Sequence, residues 1–299
     1  MAFFIPKSSS DWAAVGYLAG WKVMGYLPQR WALHLGNLAA GYAARNGGPQ
    51  QLRRNLARVL AVSPEQVPQG LIDASMRSYL RYWVEAFRLP TFAQGDVAAQ
   101  MDQITATVVG MEHLRQAREA GDPIVFALPH SGNWDMAGLW LVHHYGGFTT
   151  VAERLKPEVL FDAFVAFRES LGFNIVPASG TADAMERIGA ELDAGGMVCL
   201  LADRDLKGHG AEVTFFGEPT TMPVGPARLA KAHRARLITS HLSFTHSGWQ
   251  ITFNPPIPTS GRSDQEITQD IARDFEAGIA AHPADWHMLQ PLWLADRRR

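Results

Sequence analysis

The chain has 299 residues, with 27 Lys and Arg against 29 Asp and Glu, 47% hydrophobic and 19% charged residues, and a single Cys. That length can bury a sizeable core, and the near-neutral balance argues against a general nucleic-acid binder. One Cys excludes a disulfide framework and a thiolate zinc site, while nine Trp and fifteen Phe are more aromatic surface than a core alone requires.

The first ~90 residues read as helices by the spacing of their apolar residues and by their punctuation. Asp11 can cap a helix running toward Leu27, Pro28 can start a second, and Gly47-Gly48-Pro49 stops it. Pro64 and Pro68 bracket a loop before a periodic helix from Leu71 to Leu89, with Ile72, Met76, Tyr79, Leu80 and Trp83 on one side. Residues 1–100 hold ten basic and five acidic side chains, a charge of +5 that leaves −7 for the remainder. Between Asp11 and Glu65 there are six basic residues and no acidic one, interleaved with Trp12, Tyr17, Trp21, Tyr26, Trp31 and Tyr42. Such a stretch suits an anionic membrane surface, with Arg53, Arg54 and Arg58 among its cations; the alternative is an amphipathic helical pair packed on the rest of the protein. The charge-free stretches are too short for the ~20 apolar residues of a span, and Asp11 interrupts any signal-peptide pattern. A cytoplasmic protein, peripheral at the cytoplasmic face of the cell membrane, is expected.

From residue 104 the pattern changes to short β-branched runs separated by helical stretches, which predicts an α/β fold: a central, mostly parallel or mixed sheet flanked by helices. Predicted strands are Ile104–Val109, Ile124–Leu128, Phe148–Ala152, Phe173–Val176, Met197–Ala202, Val213–Phe216, Leu237–Phe244 and Trp249–Phe253. Predicted helices are Met111–Ala120, Trp134–His144, Pro157–Leu171, Thr181–Ala194, Pro226–Arg234 and Asp264–His282. With no repeat or long linker, residues 1–299 read as one domain, 1–100 helical and membrane-apposed and 101–299 an α/β core.

Ligands of open α/β sheets bind beyond the carboxyl ends of the strands. There the sequence places Pro129-His130-Ser131-Gly132-Asn133-Trp134-Asp135, Glu153-Arg154 and Asp203-Arg204-Asp205. His130 and Asp135 form the sharpest pair: a strand that turns through Ser131-Gly132-Asn133 into a helix doubles back, so Asp135 would hold one imidazole nitrogen while the other takes a proton from a hydroxyl. Cys199 lies in an apolar run and behaves as a small hydrophobe. No G-x-S-x-G, H-E-x-x-H or P-loop is present, His143-His144 point apart on a helix, and of His282 and His287 only one need act. Two other readings stay open: a metal-dependent hydrolase with His130, Asp135, Asp203 and Asp205 as ligands, and a non-enzymatic lipid-binding protein.

Gly110-Met111-Glu112-His113-Leu114 followed by Ile124 to Asp135 resembles the H-x4-[D/E] block of the bacterial glycolipid acyltransferases related to the lipid A lauroyl acyltransferases. Asp203-Arg204-Asp205 through Phe215-Phe216-Gly217, Pro223-Val224-Gly225-Pro226-Ala227 and His282-Pro283-Ala284-Asp285-Trp286-His287 resemble its later blocks in the same order. Asp135 stands where the lipid A enzymes commonly carry Glu. Tyr42 to Pro49, Gln51 to Arg58, Val151 to Glu158 and Pro283 to Pro291 are similar to the branch acting on phosphatidylinositol mannosides. The resemblance implies transfer of a fatty acyl group, palmitoyl in that branch, from acyl-CoA to the 6-hydroxyl of a mannose on a phosphatidylinositol mannoside. It implies no cofactor and no metal, acyl-CoA and mannosylated phosphatidylinositol as partners, His130 and Asp135 as catalytic residues, and Glu153, Arg168, Asp203, Arg204 and His287 around the substrate. Backbone N–H groups near Ser131-Gly132 are the expected oxyanion donors.

Overall fold

The computed structural model describes residues 9–93, 95, 97–152, 158–177, 182–205, 208–246 and 248–297. The N-terminal helices are α1 (Ser9–Tyr26), α2 (Gln29–Ala43), α3 (Gln50–Val59), α4 (Gln69–Phe92), α5 (Val97–Thr105) and α6 (Met111–Glu119). The order then alternates: β1 (Ile124–Leu128), α7 (Trp134–Tyr145), β2 (Phe148–Ala152), α8 (Glu158–Ser170), β3 (Phe173–Pro177), α9 (Ala182–Asp193) and β4 (Met197–Leu201). It closes with β5 (Ala211–Phe215), β6 (Glu218–Met222), α10 (Gly225–Ala232), β7 (Arg236–Phe244), β8 (Trp249–Phe253), α11 (Asp264–Ala281) and α12 (Leu294–Arg297).

Six strands form one sheet in the order β3-β2-β4-β1-β7-β8, parallel throughout except for the antiparallel β7–β8 pair, and β5–β6 make a separate hairpin. Every residue of β1 is buried, as a central parallel strand covered on both faces must be. Alternation along it divides the core: Val125 and Ala127 pack with Leu229, Ile271 and Phe275 of α10 and α11, while Ile124, Phe126 and Leu128 pack with Trp140, Phe164 and Phe167 of α7 and α8. A third cluster, with Ala40, Leu52, Leu56, Ile72 and Met76, knits α2, α3 and α4 together.

The sequence expectation fails at Ile104–Val109. Residues 97–105 are helical, and only Val109 reaches the sheet, through a single bridge to Thr252. Ile104 and Thr105 are β-branched, but Ile104 and Met101 are spaced as a helix face and are both buried in the core beneath α7, so tertiary burial decides over strand propensity. Strand β6 was not foreseen: Glu218, Pro219 and two Thr lack an apolar run, and its pairing with β5 supplies the order. No helix among the described residues is long and apolar enough to cross a membrane.

Candidate active site

The carboxyl ends of β1 and β4 are neighbours, with Leu128 opposite Leu201 and the Ala202 N–H donating to the Leu128 carbonyl. Continuing two residues past each strand brings His130 and Asp203 together. His130 Nδ1 lies 2.5 Å from Asp203 Oδ1, and the His130 backbone N–H donates to Asp203 Oδ2 at 2.9 Å. Trp286 Nε1–H donates to that same oxygen at 3.1 Å. Asp203 is wholly buried. Burial alone would raise its carboxyl, but the charge of His130 and these three hydrogen bonds outweigh it and hold the group below the usual carboxylate range. An ionised carboxylate only accepts, so Nδ1 carries a proton, and Nε2 is the lone-pair nitrogen of the neutral ring. The His130 side chain retains 25% exposure.

Asp135 is therefore not the partner of His130. It occupies the first turn of α7, buried, where Arg168 of α8 grips it through Nε at 2.7 Å and Nη2 at 3.3 Å, and the Tyr82 hydroxyl donates to Oδ2 at 3.0 Å. Burial opposes the Arg168 charge, but Asp135 and Tyr82 more than compensate and push its pKa up, so the pair is a fixed ion pair. The chain does double back after β1, yet the carboxylate faces α8 and α4 and the imidazole faces β4. Arg168, expected around the substrate, pairs with Asp135.

The turn between them is built for close approach. Gly132 adopts φ 54°, and a Cβ there would stand 2.7 Å from the Leu242 carbonyl. Asn133 caps α7, accepting from the Met136 N–H at 2.9 Å, while its own amide donates to Glu85 at 2.8 Å. The backbone N–H groups of Ser131 and Gly132 donate to the Pro129 and Asp285 carbonyls, at 2.8 and 2.9 Å. They are thus spent inside the protein, and the expectation that they serve as oxyanion donors is not met.

The terminal block completes the site by running alongside this turn. Ser131 and Trp286 form an antiparallel bridge, and the His287 N–H donates to the His130 carbonyl at 2.7 Å. Ser78 of α4 donates its hydroxyl to Asp285 Oδ1 at 2.7 Å and lies 2.9 Å from His287 Nε2. Because Asp285 can only accept, Ser78 must receive its second bond from an Nε2–H of His287. That leaves His287 Nδ1 a buried acceptor without a partner among the described residues. Burial, reinforced by the charge of His130, pushes the His287 imidazole down to about 3, so it stays neutral. His282 stacks on His241 at 5.8 Å, away from this cluster.

Arg204 Nη1 donates to Gln290 Oε1. Asp205 accepts from the Gly208 and Gly210 N–H groups at 2.9 and 2.8 Å, so it orders its own loop. Glu153 and Arg154 lie outside the described residues. Among the described residues no group of three or more His, Cys, Asp and Glu is close enough to share a metal, and the set His130, Asp135, Asp203 and Asp205 is not brought together. Ser78, Tyr82, Glu85 and Asp285 escaped the sequence reading; the three from α4 sit at polar positions of a helix whose buried face looked purely apolar.

A cavity of about 230 Å³ opens between the sheet and α7 and α8; His130 is not among its lining residues. Its walls are mainly apolar, among them Phe126, Leu128, Leu201, Leu242, Phe164 and Val165; Asp135 and Arg168, which also line it, are already paired with each other. Trp134 lines the cavity and meets the His130 ring edge-on, with centroids 5.8 Å apart. Trp134 thus joins the imidazole to an apolar slot, an arrangement able to bring a hydroxyl to a base beside an aliphatic chain.

Residues 2–295 match the bacterial lipid A biosynthesis acyltransferase family. The chain belongs to that family. It is 50% identical over 293 residues to the phosphatidylinositol mannoside acyltransferase of Mycobacterium tuberculosis strain H37Rv, covering 98% of this chain and 91% of that relative. The phosphatidylinositol mannoside acyltransferase of Mycolicibacterium smegmatis is 50% identical over 283 residues, covering 94% and 91%. An acyltransferase needs a place for an acyl chain and a group to activate its acceptor, and the cavity and His130 are suited to those tasks.

Proposed function

We propose that this protein transfers a fatty acyl group, palmitoyl in the first instance, from acyl-CoA to the 6-hydroxyl of a mannose on a phosphatidylinositol mannoside. The names of the two relatives support the acceptor. The observation that carries the chemistry is the His130 imidazole set against Trp134, a wall of the apolar cavity, with Nδ1 held by buried Asp203 so that Nε2 is the nitrogen left to take a proton.

In this reading the acyl chain lies in the cavity with its thioester carbonyl at the Trp134 end. His130 Nε2 takes the mannose hydroxyl proton as that oxygen bonds to the carbonyl carbon. The tetrahedral adduct then collapses with breakage of the C–S bond, and the imidazolium returns the proton to the departing CoA thiolate. Asp203 stabilises the imidazolium and fixes its tautomer, a contribution of the kind that supplies about 10²–10⁴ in rate. No acyl-enzyme is needed and acyl-CoA enters as substrate, so no cofactor is required. Asp135 supports the site through Arg168 rather than touching His130. His287, whose backbone N–H holds the His130 carbonyl, orders the site; Glu153 and Arg204 complete the expected substrate contacts.

The protein would work as a peripheral protein at the cytoplasmic face of the cell membrane. On α2, Trp31, Leu35, Leu38 and Tyr42 are 56%, 45%, 59% and 73% exposed and recur at intervals of four, three and four, which places them on one helix face. Ala32, Gly36 and Ala40 bury the opposite face, and exposed Lys22, Arg30 and Arg45 accompany the stripe. Apolar side chains flanked by cations suit an anionic bilayer surface.

Incubating the purified protein with palmitoyl-CoA and mannosylated phosphatidylinositol tests the reading. The expected result is an alkali-labile palmitoyl ester on the mannose, with one CoA released per ester. Release of free palmitate without an ester on the acceptor would favour a hydrolase, and binding of both lipids without turnover a lipid carrier.

A further inference from the structure

The cavity has a defined far wall. Along β2 it is lined by Ala152, Val151, Thr150 and Phe148, and on β3 Ile175 and Phe173 stand opposite Thr150 and Phe148. Ala152 is at the carboxyl edge, near the base; Phe148 and Phe173 open their strands and mark the opposite end. Four residues at about 3.3 Å each make this descent roughly 13 Å. Halfway down, the Thr150 hydroxyl donates to the Cys199 carbonyl at 2.7 Å, so it makes no polar demand on a chain passing it. At the bottom the Phe148 and Phe173 rings meet with centroids 4.7 Å apart and are 4% and 5% exposed.

Both rings rest on the middle of α7, at Gly138. A Cβ on Gly138 would stand 2.5 Å from Phe173 Cζ and 3.0 Å from Phe148 Cζ, so any side chain there displaces ring atoms toward the cavity. Glycine inside a helix costs about 1 kcal/mol relative to alanine, and here the space it leaves is filled by the two rings.

We propose that Phe148 and Phe173, seated on Gly138, form the stop that sets the length of the acyl chain this protein accepts. The inference rests on the reading of the cavity as the acyl site and specifies that site's selectivity. A chain one unit too long must move a packed ring pair that is braced by a helix backbone. In a closed apolar pocket a methylene too many or too few changes discrimination by about 10–200-fold.

The test uses Phe148→Ala, the milder Phe148→Leu and Gly138→Ala, each with its fold verified by circular dichroism and thermal unfolding. Each variant is given even-numbered saturated acyl-CoAs from lauroyl to arachidoyl with mannosylated phosphatidylinositol, and the binding of the corresponding free fatty acids is measured separately by calorimetry. Trimming Phe148 is expected to move the preference in kcat/KM, and in binding, toward longer chains by about tenfold or more; Gly138→Ala is expected to move both toward shorter ones. An unchanged ranking in folded variants would overturn the stop while leaving acyl transfer intact. Rankings that shift in binding, with no transfer to the acceptor by the unmodified protein, would support the stop and reject the proposed reaction.

Discussion

At His130 and Asp203 the hydrogen bonds make a different demand on each of the two carboxylates near the base. Asp203→Asn removes the charge that holds Nδ1–H and stabilises the imidazolium, so kcat should fall by about 10²–10⁴ with little change in folding. Asp135→Ala leaves Arg168, buried and bidentate in the native protein, without its partner. That variant should lose about 3–5 kcal/mol of stability in denaturant unfolding. If instead Asp203→Asn unfolds the protein and Asp135→Ala turns over slowly but stays fully stable, the two roles have been exchanged. His130 and both Asp residues were legible in the sequence as polar groups beyond strand ends; their pairing was not. It depends on β4 lying beside β1, a contact between strands that are not consecutive in the chain, and on α8 reaching over to take Asp135. His287 stood out in the sequence only as one of two candidate histidines, because its role follows from Ser78 and Asp285 fixing its tautomer across more than 200 residues of chain.

Among the elements, α2 and α3 divide the tasks that the basic N-terminal stretch suggested as one. Arg53 of α3 donates to the Gly47, Pro64 and Val67 carbonyls and to Gln69, and Arg58 pairs with Glu218 and Asp296 while stacking over Trp293. These two arginines hold loops and the C-terminal helix in place; the expectation that they face lipid is corrected. Arg53→Ala should therefore lower the thermal midpoint. Leu35→Asp with Leu38→Asp on α2 should instead leave the midpoint within a degree or two and weaken co-sedimentation with anionic liposomes severalfold. Equal liposome binding by that double variant would place the anchoring face elsewhere. Helix α4 shows the converse: its apolar periodicity was plain in the sequence, yet Ser78, Tyr82 and Glu85 on the same helix are what tie it to the site. Polar residues are read as solvent-facing by default, and only the tertiary partners Asp285, Asp135 and Asn133 reveal otherwise.

Across the whole molecule, the alternation of short strands and helices after residue 120 was readable because each element carries its own periodicity, and five of the six strands of the main sheet run in the same direction. What the sequence could not supply was the strand order, and with it the side of the sheet on which the cavity forms. The same packing gives a pH dependence. His241 on β7 is buried against Gly278 with neither ring nitrogen bonded among the described residues, and burial, then the nearby charge of His282, pushes it down to about 4. A group neutral in the fold and protonated more readily when unfolded contributes full stability above its unfolded pKa of about 6.5, and loses it as pH falls toward 4. Folding free energy should drop by about 3 kcal/mol from this residue between those limits, with His287 extending the loss to lower pH. A urea midpoint followed from pH 7 to pH 4 checks this, and His241→Gln should flatten the slope; a parallel slope would assign the loss to other groups.

The central claim is that the imidazole of His130 removes the acceptor's proton during acyl transfer. Its most direct test is the single-turnover rate of palmitoyl transfer to mannosylated phosphatidylinositol by His130→Ala, with folding and palmitate binding shown to match the unmodified protein. The account predicts a loss of at least about 10³-fold; transfer within tenfold of the unmodified rate would contradict it.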